Sequence, residues 1–348
     1  MTPRLKIHRT KGSYSDRWIE SCEDQKIPYC VVNCLDTDIM RQLAPGDGLL
    51  WHWHHHDPRE HRVARQIILA AESMGVVVFP SAATCWHFDD KLAQKYLLEA
   101  VGAPLVPTYV CYDEAGARAW IETASFPKVF KLSKGAGSAN VRLVRNSREA
   151  LVLVRQAFGA GFPPMAGYTR DVRKRYDAAR KRGDLMGAVL RLPRTLAAIR
   201  RTNRGLGNEG GYVYFQDFIA GNTYDTRVTV IGNRAFAFTR NVRPGDFRAS
   251  GSGRIVYDLE RIRPECVQIA FKVARSVGSQ SMAFDFVLVD QTTPQVVEVS
   301  YSYDPTAVYR CAGHWNERLE WQAGSMWPQD AILLDELDEM NQRRPEAG

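Results

Sequence analysis

The sequence predicts a protein of mixed α/β and α+β class, in which a small parallel α/β unit precedes two sets of antiparallel strands. Two observations predict this class. Before residue 86, short apolar runs alternate with a helical pattern, as in a parallel strand–helix–strand unit. After Thr108, strand-like runs follow one another closely, and two of them are joined by the hairpin dipeptide Gly232-Asn233. With 348 residues, of which 45% are hydrophobic, the chain can bury a large core.

The N-terminal unit contains three predicted buried strands, at residues 29–35, 48–53 and 76–80. A helix is predicted between the last two strands. Asp57 is its N-cap, Pro58 suits the first turn, and Glu60 is placed to close a capping box. Residues 1–16 are polar and basic, and no strand is predicted there.

A second helix is expected to begin at Asp89 or Asp90 and to end at Gly102. Four residues on its predicted buried face are Leu92, Tyr96, Leu97 and Val101. We place a domain boundary near residue 86. An α+β subdomain follows, with strands at 109–110, 128–132 and 140–144 and helices at 113–124 and after Asn146.

A second antiparallel sheet is predicted to begin with the strand at 212–218. Its further strands are expected at 226–231, 235–240, 282–289 and 295–300. Helices are expected at 267–277 and 327–340. The resulting domain prediction has five segments, at residues 1–86, 87–158, 159–211, 212–325 and 326–348.

Positive charge is concentrated in one segment of the chain. Residues 170–209 hold twelve Lys or Arg and four Asp or Glu, so this segment carries a net charge of +8, compared with +7 for the whole chain. The segment could attract an acidic polymer, or it could be a solvated helical face. We do not expect a nucleic-acid partner, because aromatic residues are not interleaved with the basic ones.

The seven cysteines and the hydropathy of the chain predict a cytoplasmic protein. The cysteines are scattered, odd in number and without C-x-x-C spacing, which indicates reduced thiols rather than a disulfide framework. No apolar run approaches the ~18 residues that a membrane span requires, and no signal sequence is expected at the N-terminus.

A glycine-rich turn follows the predicted strand at 128–132. Lys131 lies near the end of this strand, where its ammonium group could meet a phosphate. Gly135 and Gly137 would permit a close backbone approach, and Ser138 adds a hydrogen-bond donor. An ordinary flexible hairpin explains the same pattern. The turn is not a P-loop, because the chain contains no G-x-x-x-x-G-K-[ST] motif.

Two predicted strands near the C-terminus carry carboxylates. Asp285 lies within one strand and Glu298 within the next, with Ser300 on the same face as Glu298 because side chains alternate with period two. Converging carboxylates suit Mg²⁺, and a buried ion pair with arginine explains them equally well.

Taken in order, these segments resemble the ATP-grasp superfamily. The resemblance is carried by the lysine strand and its turn, Q-D-F-I-A-G, D-T-R-V, A-F-D-F-V-L and V-V-E-V-S, and it covers roughly residues 86–310. It implies an ATP-grasp fold, in which two antiparallel-sheet subdomains sandwich ATP. The N-terminal unit is similar to the small domain that precedes the grasp in glutathione synthetase and D-alanine:D-alanine ligase.

The resemblance also implies a set of nucleotide-binding residues. These are Lys91 and Lys131 at the phosphates, Val129 at the adenine, Gly135, Gly137 and Ser138 in a lid, and the linker Gln216, Asp217, Phe218 and Ile219, whose backbone reads the adenine edge.

Further residues are implied at the transferring phosphoryl group. Arg227 would approach the phosphates, and Arg240 and Arg248 would neutralise the group in transfer. Asp285 and Glu298 would bind Mg²⁺, with two ions expected.

Two positions depart from the family pattern or leave an alternative open. The family usually has E-x-N as its last metal motif, whereas Ser300 stands here in place of the asparagine, and Asp304 could compensate for it. Thr223 or Asp225 could be the ribose ligand, and Asp225 is the expected one; the alternative is that Asp225 pairs with Arg227 or caps a strand.

A histidine-rich segment follows the strand at 48–53. His54 and His55 could contact substrate, because ligands bind at strand ends in α/β sheets, whereas the spacing matches no zinc site. Cys311 could face substrate or be a buried free thiol.

The resemblance implies a ligase that phosphorylates a carboxylate to an acyl phosphate, which an amine then displaces. The partners would be an amine donor and a small-molecule or saccharide carboxylate. A uronic-acid saccharide and an acidic peptide are examples of such an acidic substrate. Similarity to members linked to cell-surface polysaccharide assembly favours a saccharide. A homodimer is compatible with the sequence. The alternatives are a grasp-fold kinase and an inactive ATP-binding module.

Overall fold

The structure is a computed structural model that describes residues 4–54, 57–134, 140–163, 208–243, 245–249 and 253–343. The chain forms two compact units. The larger unit comprises Met1–Phe88, Tyr96–Pro104 and Asn222–Gly348, and the smaller unit comprises Asp89–Lys95 and Leu105–Gly221. The five-segment division stays a prediction, and most of the predicted basic insertion lies outside the described residues.

The strands are numbered in chain order. They are β1 (Leu5–His8), β2 (Tyr29–Val32), β3 (Gly48–Leu50), β4 (Val77–Phe79), β5 (Thr108–Cys111), β6 (Lys128–Lys131), β7 (Val141–Val144), β8 (Val213–Asp217), β9 (Tyr224–Ile231), β10 (Arg234–Asn241), β11 (Ile255–Val256), β12 (Ser281–Val289), β13 (Thr293–Ser300), β14 (Gly313–Asn316) and β15 (Trp321–Ala323).

The α-helices are numbered in the same way. They are α1 (Tyr14–Asp24), α2 (Pro58–Ser73), α3 (Ala82–Cys85), α4 (Lys91–Ala100), α5 (Glu114–Thr123), α6 (Ser147–Phe158), α7 (Pro264–Val277), α8 (Pro305–Tyr309) and α9 (Pro328–Gln342).

The larger unit begins with a four-stranded parallel sheet in the order β2-β1-β3-β4. The sequence predicted the last three of these strands in chain order and missed β1, which lies between β2 and β3. Its apolar residues Leu5 and Ile7 are buried, but they alternate with Lys6 and His8, which hid the strand. Lys6 lies 3.9 Å from Asp47. A buried cation beside a carboxylate reduces the cost of burial.

A seven-stranded sheet completes the larger unit. Its order is β13-β12-β9-β10-β14-β15, with β11 paired to β10. The predicted hairpin is confirmed, because Ile231 pairs with Arg234 across the two-residue turn and Gly232 has a φ of 53°. Such a positive φ favours glycine.

The two faces of this sheet have different roles. Val228, Met282 and Phe284 point to one face and are buried, and α7 packs against β9, β10 and β12. On the other face, Phe236 and Ala283 belong to the core that the parallel sheet also shares. One end of that second face carries charged residues instead.

The smaller unit contains a four-stranded sheet in the order β5-β8-β6-β7. The strand at 212–218 was predicted to begin the second antiparallel sheet, and this prediction was wrong. Strand β8 pairs with both β5 and β6, so it belongs to the sheet that carries Lys131. Helices α5 and α6 supply the core on one side of it through Ile121, Leu153 and Val154.

Two local predictions were also wrong. Asp57 caps α2 by accepting from Arg59 N at 2.8 Å, but Glu60 closes no capping box, because its carboxylate accepts from His54 N at 3.0 Å. The buried face of α4 consists of Lys91, Gln94 and Leu98, whereas Tyr96 is exposed and Leu92, Leu97 and Val101 are only partly buried.

Candidate functional site

Five charged side chains lie on one face of the seven-stranded sheet, on four adjacent strands. Asp285 of β12 stands directly opposite Glu298 of β13 and Arg227 of β9. Asp225, two residues before Arg227, stands opposite Arg240 of β10. We call these five residues the charged face. The prediction that Asp285 and Glu298 converge is confirmed by their register.

Two arginines hold the aspartates of the charged face. Arg227 donates to both oxygens of Asp285, at 2.7 Å from Nε and 2.8 Å from Nη2. Arg240 donates in the same way to Asp225, at 2.8 and 2.6 Å, and its Nη2 lies 2.8 Å from Asp285. Asp225 thus pairs with Arg240, and the expected alternative partner, Arg227, pairs with Asp285. Such bidentate pairs are the strongest hydrogen bonds that these groups form.

Burial and charge shift the pKa values of this network. Burial raises the pKa of Asp285, but the attraction of Arg227 and Arg240 outweighs it and holds this pKa well below its ordinary value. Burial raises the pKa of Asp225 above its ordinary value despite the opposing effect of Arg240. Of the two aspartates, Asp285 is therefore the more firmly ionised.

Glu298 and Ser300 extend the charged face along β13. Glu298 is half-buried, and Ser300 stands opposite Ala283. The Ser300 hydroxyl donates to Ser302 O at 2.8 Å and accepts from Ser302 N at 3.2 Å. Asp304, the residue expected to compensate for Ser300, instead caps α8 by accepting from Thr306 N at 2.9 Å.

The donor set fits Mg²⁺ only in part. Within the described ranges, no group of three or more His, Cys, Asp or Glu side chains is arranged to hold a metal ion. Glu298 and Ser300 offer hard oxygen donors, and Mg²⁺ commonly uses one or two carboxylates together with waters and substrate phosphates. Both oxygens of Asp285 already accept hydrogen bonds from Arg227. Asp285 could therefore bind a cation only if an arginine left it to pair with another anion, such as a phosphate.

Arg248 lies on the loop between β10 and β11. Its guanidinium donates to both oxygens of Asp246, at 3.0 and 2.8 Å. Burial raises the pKa of Asp246, but Arg248 outweighs it and lowers this pKa. The predicted contact of Arg248 with a phosphoryl group stays a prediction.

In the smaller unit, Lys131 and Val129 share the face of β6 opposite the core residue Phe130. The Lys131 ammonium is buried and donates to Gln216 Oε1 at 2.6 Å. Gln216 stands opposite Val129 on β8, and its amide donates to Thr108 Oγ1 at 3.1 Å. The structure therefore brings together three of the predicted nucleotide-binding residues.

Lys91, the first residue of α4, is buried in the same unit. Its N–H donates to Ser133 O at 3.0 Å, and the Ser133 hydroxyl donates to Asp90 at 2.7 Å. Helix α4 is thus tied to the chain just after β6. Sequence reasoning missed Glu209, which accepts from Ser133 N at 2.7 Å and also binds the Tyr212 hydroxyl.

The linker residues are placed around the end of β8. Asp217 pairs with Lys128 at 2.5 Å, and Phe218 and Ile219 are half-buried. The predicted residues Gly135, Gly137, Ser138 and His55 lie outside the described residues.

The remaining substrate candidates differ in position. His54 is half-buried, four residues after the end of β3, and its ring lies 5.0 Å from that of His52. Cys311 is buried, with its thiol 3.6 Å from Ala237 O, and burial raises its pKa to about 12. This position favours the alternative of a buried free thiol over substrate contact. None of the seven cysteines, all of which are described, forms a disulfide.

The sheets and their order agree with the ATP-grasp fold that the sequence predicted. Residues 190–313 match the family model described as a RimK-like ATP-grasp domain. The chain therefore has the ATP-grasp fold, and its residues 190–313 are similar to the RimK-like ATP-grasp domain.

Solved structures agree with this fold. A RimK domain ATP-grasp protein from Sphaerobacter thermophilus is 17% identical, with a TM-score of 0.54 over 95% of this chain and 98% of that one. The ATP-grasp ligase PsnB is 13% identical, with a TM-score of 0.57 over 99% of each chain. D-alanine–D-alanine ligase from Bacillus anthracis is 13% identical, with a TM-score of 0.54 over 98% of each chain.

No protein with a curated description matches the sequence. Among the helices of the described residues, none has the length and hydropathy of a membrane-spanning segment.

Proposed function

We propose that the protein is an ATP-dependent carboxylate–amine ligase that works through an acyl phosphate. The observation that carries the proposal is the charged face, where three carboxylates and two arginines are assembled on neighbouring strands. Withdrawing so many charges from water costs free energy, and a functional requirement explains why the chain keeps them there. Phosphoryl transfer requires this combination, because cations must offset the repulsion between an anionic acid and the γ-phosphate.

The residues of the chain would divide the work. Lys91 and Lys131, both buried, would bind phosphate oxygens, with Val129 at the adenine. Glu298, Ser300 and Asp285 would hold Mg²⁺. Mg²⁺ held there would supply positive charge to offset the charge that develops on the phosphoryl group. Arg227 and Arg240 would exchange part of their contact with Asp285 for the phosphoryl group, so that the aspartate becomes available to the cation.

The reaction would proceed in two steps, phosphorylation of the acid and then displacement of phosphate by the amine. A carboxylate oxygen of the acid attacks the γ-phosphorus, and ADP leaves. The amine then attacks the carbonyl carbon of the acyl phosphate, phosphate leaves, and the amine proton passes to solvent or to phosphate. The chain supplies positioning and charge, and no side-chain nucleophile takes part.

The substrates are proposed from chemistry and from similar proteins. The PsnB structure is described as a complex with a variant of a minimal precursor, Mg and ADP, and the Bacillus anthracis enzyme is named as a D-alanine–D-alanine ligase. Both names are compatible with joining a carboxylate to an amine. An acidic peptide or saccharide would suit the basic segment at 170–209. A role in polysaccharide assembly and a homodimer remain proposals from the sequence.

Trapping the intermediate tests this function. Panels of acids are incubated with the protein, Mg²⁺, ATP and hydroxylamine, and ADP and hydroxamate are measured. The proposal predicts hydroxamate in proportion to ADP for at least one class of acid. A stable phosphorylated product without hydroxamate would indicate a kinase, and ATP binding without ADP release would indicate an inactive module. The variant Glu298→Ala should form hydroxamate at least about 100-fold more slowly, while Ser276→Ala on α7 is the control.

A further inference from the structure

We propose that His52 is a positioning residue for the cation site, acting through Ser302 to fix the hydroxyl of Ser300. The inference rests on the proposed function, because it assumes that Ser300 faces a cation. It adds a role for His52 and Ser302, which the sequence motifs do not include. All the contacts involved lie within the larger unit.

The segment just after β13 is bound to the parallel-sheet domain at three successive residues. The Tyr301 hydroxyl donates to Trp53 O at 2.5 Å. The Ser302 hydroxyl lies 3.0 Å from His52 Nε2. The Tyr14 hydroxyl donates to Tyr303 O at 2.8 Å. Contacts with the parallel-sheet domain therefore fix the position of residues 301–303, which follow the charged face along the chain.

The ring of His52 is held in one orientation. Tyr14 stacks on it with ring centroids 3.7 Å apart and planes 8° apart. Tyr14 N donates to His52 Nδ1 at 3.4 Å, so Nδ1 is an acceptor. In the neutral ring the proton is then on Nε2, which donates to the Ser302 hydroxyl oxygen. The ring is buried, and its orientation fixes the Ser302 side chain.

Ser302 in turn orients Ser300 through its backbone. Ser300 Oγ–H donates to Ser302 O, and Ser302 N–H donates to Ser300 Oγ. The proton of the Ser300 hydroxyl is thus directed toward Ser302, which leaves an oxygen lone pair for the face that carries Glu298 and Asp285. A hydroxyl on a short side chain has little reach, so its value as a ligand depends on how closely its position is fixed.

Manganese binding tests the inference without the unknown acid. Mn²⁺ is titrated into the full-length protein with the ATP analogue AMPPNP, and free Mn²⁺ is measured by electron paramagnetic resonance. His52→Ala and Ser302→Ala should each weaken Mn²⁺ binding about 10-fold or more, as outer contacts of metal ligands typically do. His52→Gln, whose amide N–H can replace Nε2–H, should recover most of the affinity. His314→Ala on β14 is the control.

A second background separates positioning from simple structural support. Ser300→Asn supplies an amide oxygen on a longer side chain, as in the usual E-x-N motif. In Ser300→Asn, His52→Ala should change Mn²⁺ affinity less than about 2-fold, because the hydroxyl no longer needs to be held.

Three outcomes would overturn the inference. Mn²⁺ affinity unchanged in both His52→Ala and Ser302→Ala contradicts it while leaving the proposed function intact. Equal losses from His52→Ala with and without Ser300→Asn would show that His52 only supports the fold. Failure of the unsubstituted protein to bind Mn²⁺ with AMPPNP would overturn the inference together with the proposed function. Thermal unfolding of each variant identifies those that fail to fold, and the half-exposed position of Ser302 makes Ser302→Ala the milder change.

Discussion

Removing Arg240 should destabilise the larger unit strongly and in a pH-dependent way. Arg240 is 6% exposed and donates to both Asp225 and Asp285. The variant Arg240→Met keeps most of the apolar stem but leaves two buried carboxylates to share Arg227. Breaking a buried ion pair by removing one partner typically costs about 3–5 kcal/mol, so a loss of this size is expected near pH 7.5.

The pH dependence follows from the pKa shifts. The pKa of Asp285 is lowered in the folded protein, so its ion pairs stabilise the fold above the pKa of the unfolded chain and are lost as pH falls. Without Arg240 this contribution shrinks. The pKa of Asp225, which burial already raises, should rise further, so protonation at lower pH relieves the unpaired charge in the variant. The stability difference between the two proteins should therefore be smaller at pH 5 than at pH 7.5.

Urea unfolding followed by tryptophan fluorescence measures this difference. Of the eight tryptophans, only Trp120 lies in the smaller unit, so the signal reports mainly on the larger one. Arg234→Met is the matched control, because Arg234 pairs with Asp335 at a more exposed position and should cost about 0–1 kcal/mol. A loss below about 1 kcal/mol for Arg240→Met, or an equal loss at both pH values, would refute the reasoning.

The remaining predictions concern nucleotide binding, turnover and a buried acid. Lys131→Ala should weaken ATP binding about 10-fold or more in calorimetry. The control Lys272→Ala, on the exposed face of α7, should not. Equal ATP affinities of the two variants would contradict the role of Lys131. Glu298→Ala should keep nucleotide binding within a few-fold and lower the rate of ADP release about 100-fold or more, and normal turnover would remove Glu298 from the metal site. Burial raises the pKa of Glu336 well above its ordinary value, so its contribution to stability is lost as pH rises. Glu336→Gln should retain the bond from Gln280 and stabilise the protein more at pH 8 than at pH 5, and thermal melting that shows no such pH trend would argue against it.

The charged face was largely predictable from the sequence because alternation along strands is a local rule. Asp285 and Glu298 lie on strands whose apolar neighbours fix which side chains share a face, and the register places the two opposite each other. The hairpin at Gly232 was predictable for the same reason, since its turn chemistry depends on two residues. The ion pairs themselves were left open, because a carboxylate within a strand suits an arginine as well as a cation.

Other features depend on contacts that are distant in sequence. Strand β8 could not be assigned to its sheet, because the residues of its partner β6 lie 83 to 89 positions earlier and its own residues suit either sheet. Strand β1 was hidden by Lys6 and His8, whose burial depends on Asp47 and Glu60. The buried face of α4 was misplaced because Lys91 and Gln94 are polar, and apolar periodicity favoured Tyr96 instead.

His52 illustrates the same limit at the site. The sequence shows a run of histidines without metal-ligand spacing, and nothing in it connects His52 to Ser302, which follows 250 residues later. The only sequence signal was Ser302, a second serine two residues after Ser300. Its role could not be inferred from the sequence, because it depends on the fold that brings His52 beside it.

The most direct test of the central claim is the position of the cation itself. Crystals grown with AMPPNP and Mn²⁺ would locate the metal by its anomalous scattering. The proposed function predicts manganese bound by Glu298 and Asp285, with Arg227 or Arg240 turned toward phosphate oxygens. Manganese and nucleotide bound away from the charged face, with both arginines still paired to Asp285, would contradict it.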